Sequence, residues 1–465
     1  MKRRQFLQTV CAAAAVPFFI PRSALADVKT KRPGANDRIG LAGIGVGRQG
    51  SGVFNKAASD QRTQVVAVCD VFKPRALQFA EKYKIPAADA AADYRKIIDN
   101  KNVDAVVTAT PEHWRSLICV NAMLAGKHLY VEKPITLTVE DGILMRKAAA
   151  KTGIVFQCGS MQRSLTANYL ACQFIREGNI GKVKEVYAGG YESPWYYAMS
   201  GETVPEGLDW DLWCGPAGKV PFHSQLFVPR GKPGWISFWE YSGGEMTGWG
   251  THGFDQIQCA LGKDDTGPVE VIVEGSKLVP PVWKEPQEKK IGDAFCSTPK
   301  LSYRYADGTI VKLDDKANKG DRGGGTFIGE RGTVIIWRNK WQGVGDMEGA
   351  VKEYQEKHKD VKLPGHTTDW IDCIYSGKQT ITPLETGIRT AEICHILNIA
   401  RYAGRNLKWN PAKEEFTGDR TANKYLARQH SKGFEQPKVN DADESEPRKE
   451  RNRPFRRLPR LIRSA

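Results

Sequence analysis

"RIGLAGIGVGRQG", residues 38–50, is the stretch on which the reading of the fold turns. A short apolar run leads into Gly45, Gly47 and Gly50, spaced G-x-G-x-x-G. That spacing meets three needs of a dinucleotide site. The chain turns tightly after a strand, its backbone can approach a pyrophosphate, and a helix can pack close on the strand. The helix N-terminus that follows then offers N–H donors to the phosphates. Glycine-rich turns are common, so the motif alone is weak; it gains weight from the strand before it and the helix pattern after it.

Further apolar runs, rich in β-branched residues, follow at "QVVAVCD", "VDAVVTA", "HLYVE" and "GIVFQC". Helix-like stretches lie between them at 50–59, 73–84, 112–126 and 138–152. Short apolar strands alternating with helices predict a parallel sheet with helices on both faces. Thr138 and Asp141 are spaced as a capping box for the last helix. After residue 158 the texture changes. A helix is expected at 166–177, then a region rich in Trp, Tyr, Gly and Pro over 187–250. "VEVIVEG" (269–275), "LSYRYADGTIVKL" (301–313) and "GTVIIW" (332–337) read as antiparallel strands, and 384–403 as a long amphipathic helix. The expected fold is α/β: an N-terminal dinucleotide-binding domain over 35–157, then an α+β domain over 158–434 with a large, mostly antiparallel open sheet.

Ligands of open parallel sheets lie at the carboxyl ends of the strands. Asp70 ends the second strand, where an acid receives the adenosine ribose hydroxyls. A free carboxylate there repels a 2′-phosphate, so NAD is favoured, while Lys73 and Arg75 nearby keep NADP open; the blander alternative makes Asp70 a helix cap. Thr110, Pro111 and His113 sit at the end of the third strand, and His113 either reaches the cofactor or packs on the next helix. The fourth strand ends on Glu132-Lys133-Pro134. A strand diving into a core should not finish on two charges and a residue without an N–H, but one ending at the rim of a cofactor crevice can. The plain alternative is a surface lysine beside a turn proline.

The glycine turn, "TPEHW" (110–114) and "EKP" (132–134) together resemble the Gfo/Idh/MocA family (glucose–fructose oxidoreductase, inositol dehydrogenase, rhizopine catabolism). The resemblance continues through "GSMQRS" (159–164), "GNIGKV" (178–183), "DWDLWCGPA" (209–217), "GGEMTGWGTHGFDQ" (243–256) and "FIGERGTV" (327–334), covering roughly 36–430. It implies a Rossmann domain, a bound NAD or NADP, and sugar or cyclitol substrates. It also implies that Lys133 faces the nicotinamide and the substrate hydroxyl. An amine beside a cationic ring has a lowered pKa and can exchange a proton near neutral pH. Glu132 would orient the nicotinamide ribose or the lysine, and Pro134 would fix the backbone, a cis bond being one way. The family places a catalytic histidine at His252, with its partner acid four residues earlier. That position is Gly248 here, leaving Glu245 as a neighbouring carboxylate. Thr251 reads as the helix cap. Arg163 matches a position close to substrate, and Asp255, three residues after His252, shares its helix face. Of Trp195, Trp210, Trp213, Trp235, Trp239 and Trp249, one or two are expected to line the pocket and the rest to pack.

The formal net charge of +15 sits largely at the ends. Residues 448–465 hold eight Arg or Lys against one Glu, and the first 26 residues add four cations. The remainder is close to balanced, so no nucleic-acid role is implied. "MKRRQFLQTVCAAAAVPFFIPRSALAD" reads as a secretory signal cut after Ala26, with Arg3-Arg4 in the twin-arginine manner. Periplasmic export, a linker at 27–34 and a disordered basic tail at 435–465 are therefore expected. The ten cysteines form no C-x-x-C or Cys/His cluster, so no metal site is expected, and no internal run spans a bilayer. An exposed sheet face would favour a homo-oligomer. A periplasm holds no NAD pool, so the cofactor would travel inside the folded chain and be regenerated in place. Three functions fit: an exported NAD(P)-dependent oxidoreductase of a carbohydrate or cyclitol hydroxyl, an NAD-dependent glycosidase working by transient oxidation, or a non-catalytic carbohydrate-binding protein.

Overall fold

The computed structural model describes residue 34 and residues 37–230, 233–284 and 296–439. The expected signal (1–26), nearly all of the linker and the basic run 448–465 lie outside the described residues. The first apolar runs form strands β1 (Ile39–Ile44), β2 (Thr63–Cys69), β3 (Ala90–Ala91), β4 (Ala105–Thr108), β5 (His128–Val131) and β6 (Phe156–Cys158). They make one parallel sheet in the order β3-β2-β1-β4-β5-β6. β1 and β4 are buried along their whole length, which is why they read as continuous apolar runs rather than alternating ones. Helices α1 (Arg48–Ala58), α2 (Lys73–Tyr83), α3 (Tyr94–Asp99), α4 (Glu112–Leu124) and α5 (Val139–Thr152) connect the strands. α5 starts on the expected capping box: Thr138 Oγ1 accepts from the Asp141 N–H at 3.2 Å, and Asp141 Oδ2 accepts from the Thr138 N–H at 3.0 Å. β3 and α3 have no counterpart in the sequence reading, because two and six residues are too short for a periodic pattern to show. The strand order reverses between β1 and β4, and a ligand crevice opens at such a switch point.

The second sheet has nine strands: β7 (Val183–Ala188), β9 (Glu270–Glu274), β11 (Lys300–Arg304), β12 (Ile310–Leu313), β13 (Gly325–Gly329), β14 (Thr333–Trp337), β15 (Lys340–Val344), β16 (Leu407–Asn410) and β17 (Glu415–Phe416). Their order is β15-β14-β13-β7-β12-β11-β9-β16-β17, antiparallel throughout except for the β7–β12 pair. A separate two-stranded ribbon joins β8 (Tyr196–Tyr197) to β10 (Val282–Trp283). Helices α6 (Thr166–Arg176), α7 (Gly250–Leu261), α8 (His366–Ser376) and α9 (Leu384–Ala403) follow in chain order. Phe174 of α6, Phe254 and Ile257 of α7, and Ile393 and Leu397 of α9 form one core with Val186, Tyr303, Val311 and Phe327 of the sheet.

Three features differ from the sequence expectation. α9 is not amphipathic: nearly every residue from Thr386 to Arg401 is buried, because the helix runs through the core. α8 packs back on the first sheet, where Trp370, Ile371 and Ile374 join Leu41, Val107 and Tyr130. The first domain is thus completed by a helix from the far end of the chain. Residues 435–439, expected in the tail, also lie on the first domain. Gln436 Nε2 donates to Asp141 Oδ1 at 3.2 Å, and Val439 is buried in that domain's core.

Candidate active site

The carboxyl ends of β1, β2, β4 and β5 open into a cleft of about 910 Å³, walled on the other side by residues drawn from 212–213, 227–230, 235–236 and 248–252 and by Arg338. At its nucleotide end, Gly45 takes φ +74°, in the left-handed region that suits glycine, and a Cβ there would lie 2.8 Å from Thr110 Cγ2. A Cβ on Gly50 would lie 2.0 Å from the Gly45 carbonyl oxygen, so only glycine lets α1 pack against the turn. Gly47 faces open space, with only the Arg75 guanidinium within 4 Å of a Cβ built on it. It precedes an 11-residue helix that has no side-chain cap, which leaves helix N–H groups for an anion. These residues fit a dinucleotide pyrophosphate.

Asp70 lines the cleft, but its carboxylate is not free. Oδ1 accepts from the Phe72 N–H at 3.0 Å, and Arg75 Nη1 donates to both oxygens at 3.0 and 3.1 Å. The pair presents little net charge to an adenosine ribose. Asp70→Ala should free Arg75 and raise affinity for NADP relative to NAD about tenfold or more, whereas Arg75→Ala should shift preference towards NAD by a similar factor. Titration of each nucleotide against protein fluorescence checks both. Thr110 and Pro111 also line the cleft. The buried Arg115 donates from Nε to the Thr110 carbonyl at 2.8 Å and from Nη1 to the Pro134 carbonyl, tying together the loops that follow β4 and β5.

Glu132, Lys133 and Pro134 leave β5 at the cleft wall. The Lys133–Pro134 peptide is cis. Lys133 is half-buried and its Nζ donates to the Gly248 carbonyl at 2.9 Å. Burial lowers its pKa to about 8; Glu132 opposes the shift, and Arg230 and Arg115 add to it. Glu132 is buried, which raises its pKa, and its Oε1 accepts from Gln49 Nε2 at 3.1 Å. The acid therefore holds the end of β5 against the glycine turn. Gly159 leaves room for it, since a Cβ there would lie 3.0 Å from the Glu132 carboxyl.

His252 stands on the first turn of α7, lines the cleft and packs against Trp249, with ring centroids 5.5 Å apart. Burial pushes its pKa well below the ordinary value, and Lys133, Arg338 and Arg230 push it further, so the ring is neutral at pH 7. The space beside it is taken. A Cβ at Gly248 would lie 2.7 Å from Glu245 Oε2 and 3.0 Å from Arg230 Nη2, two groups joined in a forked ion pair at 2.8 and 3.1 Å. Glu245 therefore pairs with Arg230 and not with His252. Thr251 is not the cap of α7; that position is Trp249, and Thr251 Oγ1 donates to the Thr247 carbonyl at 2.6 Å.

The structure corrects three further expectations. His113 does not reach the cleft. Its Nε2 donates to the Trp213 carbonyl at 2.9 Å, its ring packs on Tyr241, and burial lowers its pKa to about 4. Arg163 and Asp255 are buried away from the cleft and pair with each other: Arg163 Nε lies 3.0 Å from both Asp255 oxygens, and its Nη atoms lie 2.7 and 2.8 Å from Asp264. His252 and Asp255 thus diverge, because a three-residue step on α7 carries the acid into the core. Of the six tryptophans, Trp213, Trp235 and Trp249 line the cleft, while Trp195 stacks on Trp283 at 4.6 Å.

Sequence reasoning also missed Glu112 and Arg338. The buried Glu112 carboxylate accepts from Ser242 Oγ at 2.7 Å, the Gly243 N–H at 3.1 Å and Thr247 Oγ1 at 3.0 Å. It anchors to the first domain the turn that carries the Gly248 carbonyl. In sequence it is only an acid in the first turn of a helix.

Comparison with known proteins places both domains in one family. Residues 38–160 match the family model described as an oxidoreductase family, NAD-binding Rossmann fold, and residues 182–436 match the oxidoreductase family, C-terminal alpha/beta domain. The inositol 2-dehydrogenase of Salmonella typhimurium is 30% identical over 165 residues, 35% of this chain and 46% of that protein. A glycosyl hydrolase family 109 protein of Shewanella pealeana is 27% identical over 161 residues, 30% of this chain and 35% of that protein. The chain thus spans less than half the length of these curated relatives. The aldose-aldose oxidoreductase of Caulobacter crescentus, solved with glycerol, shares the fold with a TM-score of 0.52 at 17% identity, over 80% of this chain and 99% of that one.

Proposed function

The chain belongs to the Gfo/Idh/MocA oxidoreductase family, and on that footing we propose that it oxidises a hydroxyl of a carbohydrate or cyclitol with NAD(P). One observation carries the reading: an amine with a lowered pKa stands at the end of β5, in the same cleft as the glycine turn and His252. When bound, the nicotinamide supplies the hydride acceptor. The chain supplies the rest. Lys133 Nζ, aimed by the Gly248 carbonyl, takes the hydroxyl proton. Neutral His252 hydrogen-bonds the substrate hydroxyl. Glu132 and Gln49 hold the lysine's strand against the glycine turn. Glu112 holds the second-domain turn in register. A panel of sugars and cyclitols followed by nicotinamide absorbance tests the proposal: reduction by any member supports it, and none by every member overturns it.

The lysine pKa fixes the sign of the pH dependence. Below about 8 the amine is protonated and cannot accept a proton, so kcat/KM for oxidation should rise about tenfold per pH unit and level off above about 8. Sugar reduction by NADH should show the opposite limb. Steady-state rates in both directions check this.

Export belongs to the same proposal and is supported by Arg3-Arg4 and the Ala24-Leu25-Ala26 cleavage pattern. It requires a cofactor held through transport and regenerated in place by a second substrate. Replacing both arginines by lysine should leave the full-length precursor in the cytoplasm, seen by fractionation. A second reading, a glycosidase acting by transient oxidation, is favoured by the missing carboxylate at Gly248 and the match to a glycosyl hydrolase family 109 protein. Cleavage of aryl glycosides only with NAD present would select it.

A further inference from the structure

The charges lining the cleft are unevenly shared between its walls. Its four carboxylates, Asp70, Asp93, Glu112 and Glu132, all come from the first domain, and each already has a partner. Asp70 binds Arg75, Asp93 binds Arg95, Glu112 binds the 242–247 turn, and Glu132 binds Gln49. Among the described residues, the second-domain wall contributes Arg230 and Arg338 and no carboxylate. Arg230 is neutralised by Glu245. The Arg338 guanidinium has no hydrogen bond or ion pair among the described residues.

Arg338 is not an unconstrained surface arginine. With Asn339 it forms the two-residue turn between β14 and β15, closed by the Trp337–Lys340 pair, with Asn339 at φ +65°. The turn is fixed at three points. Asp321 Oδ2 accepts from the Arg338 N–H at 3.0 Å, Asn168 Oδ1 from the Asn339 N–H at 2.7 Å, and Asn168 Nδ2 donates to the Trp337 carbonyl at 3.0 Å. Asp321 thus takes the backbone N–H of Arg338 and leaves its guanidinium free. The result is an exposed, unpaired guanidinium carried on a fixed turn at the cleft, on the same side as His252, whose ring its field helps to keep neutral.

We propose that the substrate carries an anionic group, a carboxylate or a phosphate, and that Arg338 binds it. This rests on the carbohydrate oxidoreductase reading. A guanidinium fork matches either oxyanion with two parallel hydrogen bonds, and a neutral sugar offers it no charge. Lys133 and His252 mark the reacting hydroxyl, so the anion sits on a different carbon, at the hairpin end of the sugar.

The test uses the full chain with NAD added and three matched pairs: glucose and glucuronate, galactose and galacturonate, N-acetylglucosamine and its 6-phosphate. Affinity is read from quenching of the cleft tryptophans, and nicotinamide absorbance is followed in parallel. In at least one pair the anion should bind about tenfold tighter than its neutral partner. Which pair responds tells carboxylate from phosphate. Arg338→Ala should remove that preference, Arg338→Lys should keep part of it, and Lys340→Ala, on the same hairpin outside the cleft lining, should keep all of it. No preference in any pair, or a preference that survives Arg338→Ala, overturns the inference. Nicotinamide reduction by neutral sugars alone would overturn it while leaving the proposed function standing. Absence of any reduction counts against that function and is scored separately from binding.

Discussion

Replacing Lys133 by methionine is expected to lower turnover about 10²–10⁴-fold while leaving dinucleotide affinity within about a factor of two. Methionine keeps the length and apolar stem of the side chain and removes the one group at the end of β5 that can exchange a proton near neutral pH. The residues that would hold a dinucleotide, at the glycine turn, Asp70 and the loop after β4, do not depend on that amine. The loss should therefore fall on kcat. His252 cannot take over, because its burial and the two cations that remain near it, Arg338 and Arg230, keep its ring a weak base, and no carboxylate among the described residues orients it. Undiminished turnover in the variant would overturn the assignment.

Replacing Arg163 by methionine is expected to act on stability instead, by about 3–5 kcal/mol, with KM changed less than about twofold in whatever enzyme remains folded. The substitution strands the buried Asp255 carboxyl, whose pKa burial already raises and whose two oxygens accept from Arg163. Asp264 loses its partner as well, but is partly exposed and can be solvated. Thermal and denaturant unfolding measure the first effect and steady-state kinetics the second. A raised KM without loss of stability would return Arg163 to the substrate, where the family resemblance places it.

The two halves of the site differed in how far the sequence revealed them. In a parallel sheet the ligand groups stand at strand ends, so Gly45, Gly47, Gly50, Asp70 and Lys133 could be placed from the end of an apolar run and its next few residues. Each is a local decision. The second wall and the core behind it depend on contacts between distant segments. Arg163 reaches Asp255 across 92 residues and Glu112 reaches Thr247 across 135, and no spacing rule foretells either. His113 shows the same limit within the first domain: its position at a strand end suited a ligand contact, but Trp213, supplied by the second domain, captured its Nε2. The absence of a family acid at Gly248 was legible, but what fills the space was not, because Arg230 is no sequence neighbour of Gly248. Arg338 looked like an ordinary charged turn residue, and only the hairpin's anchoring to Asn168 and Asp321 gives it a fixed place at the cleft.

The role proposed for the Lys133 amine is to take the substrate's proton beside a bound nicotinamide. Single-turnover nicotinamide reduction by the cofactor-loaded full chain, wild type beside Lys133→Met and at pH values on either side of about 8, tests it most directly. The expected result is a rate that climbs through that pH in the wild type and a slow rate without the limb in the variant. Equal rates, or the same limb surviving without the amine, would contradict it.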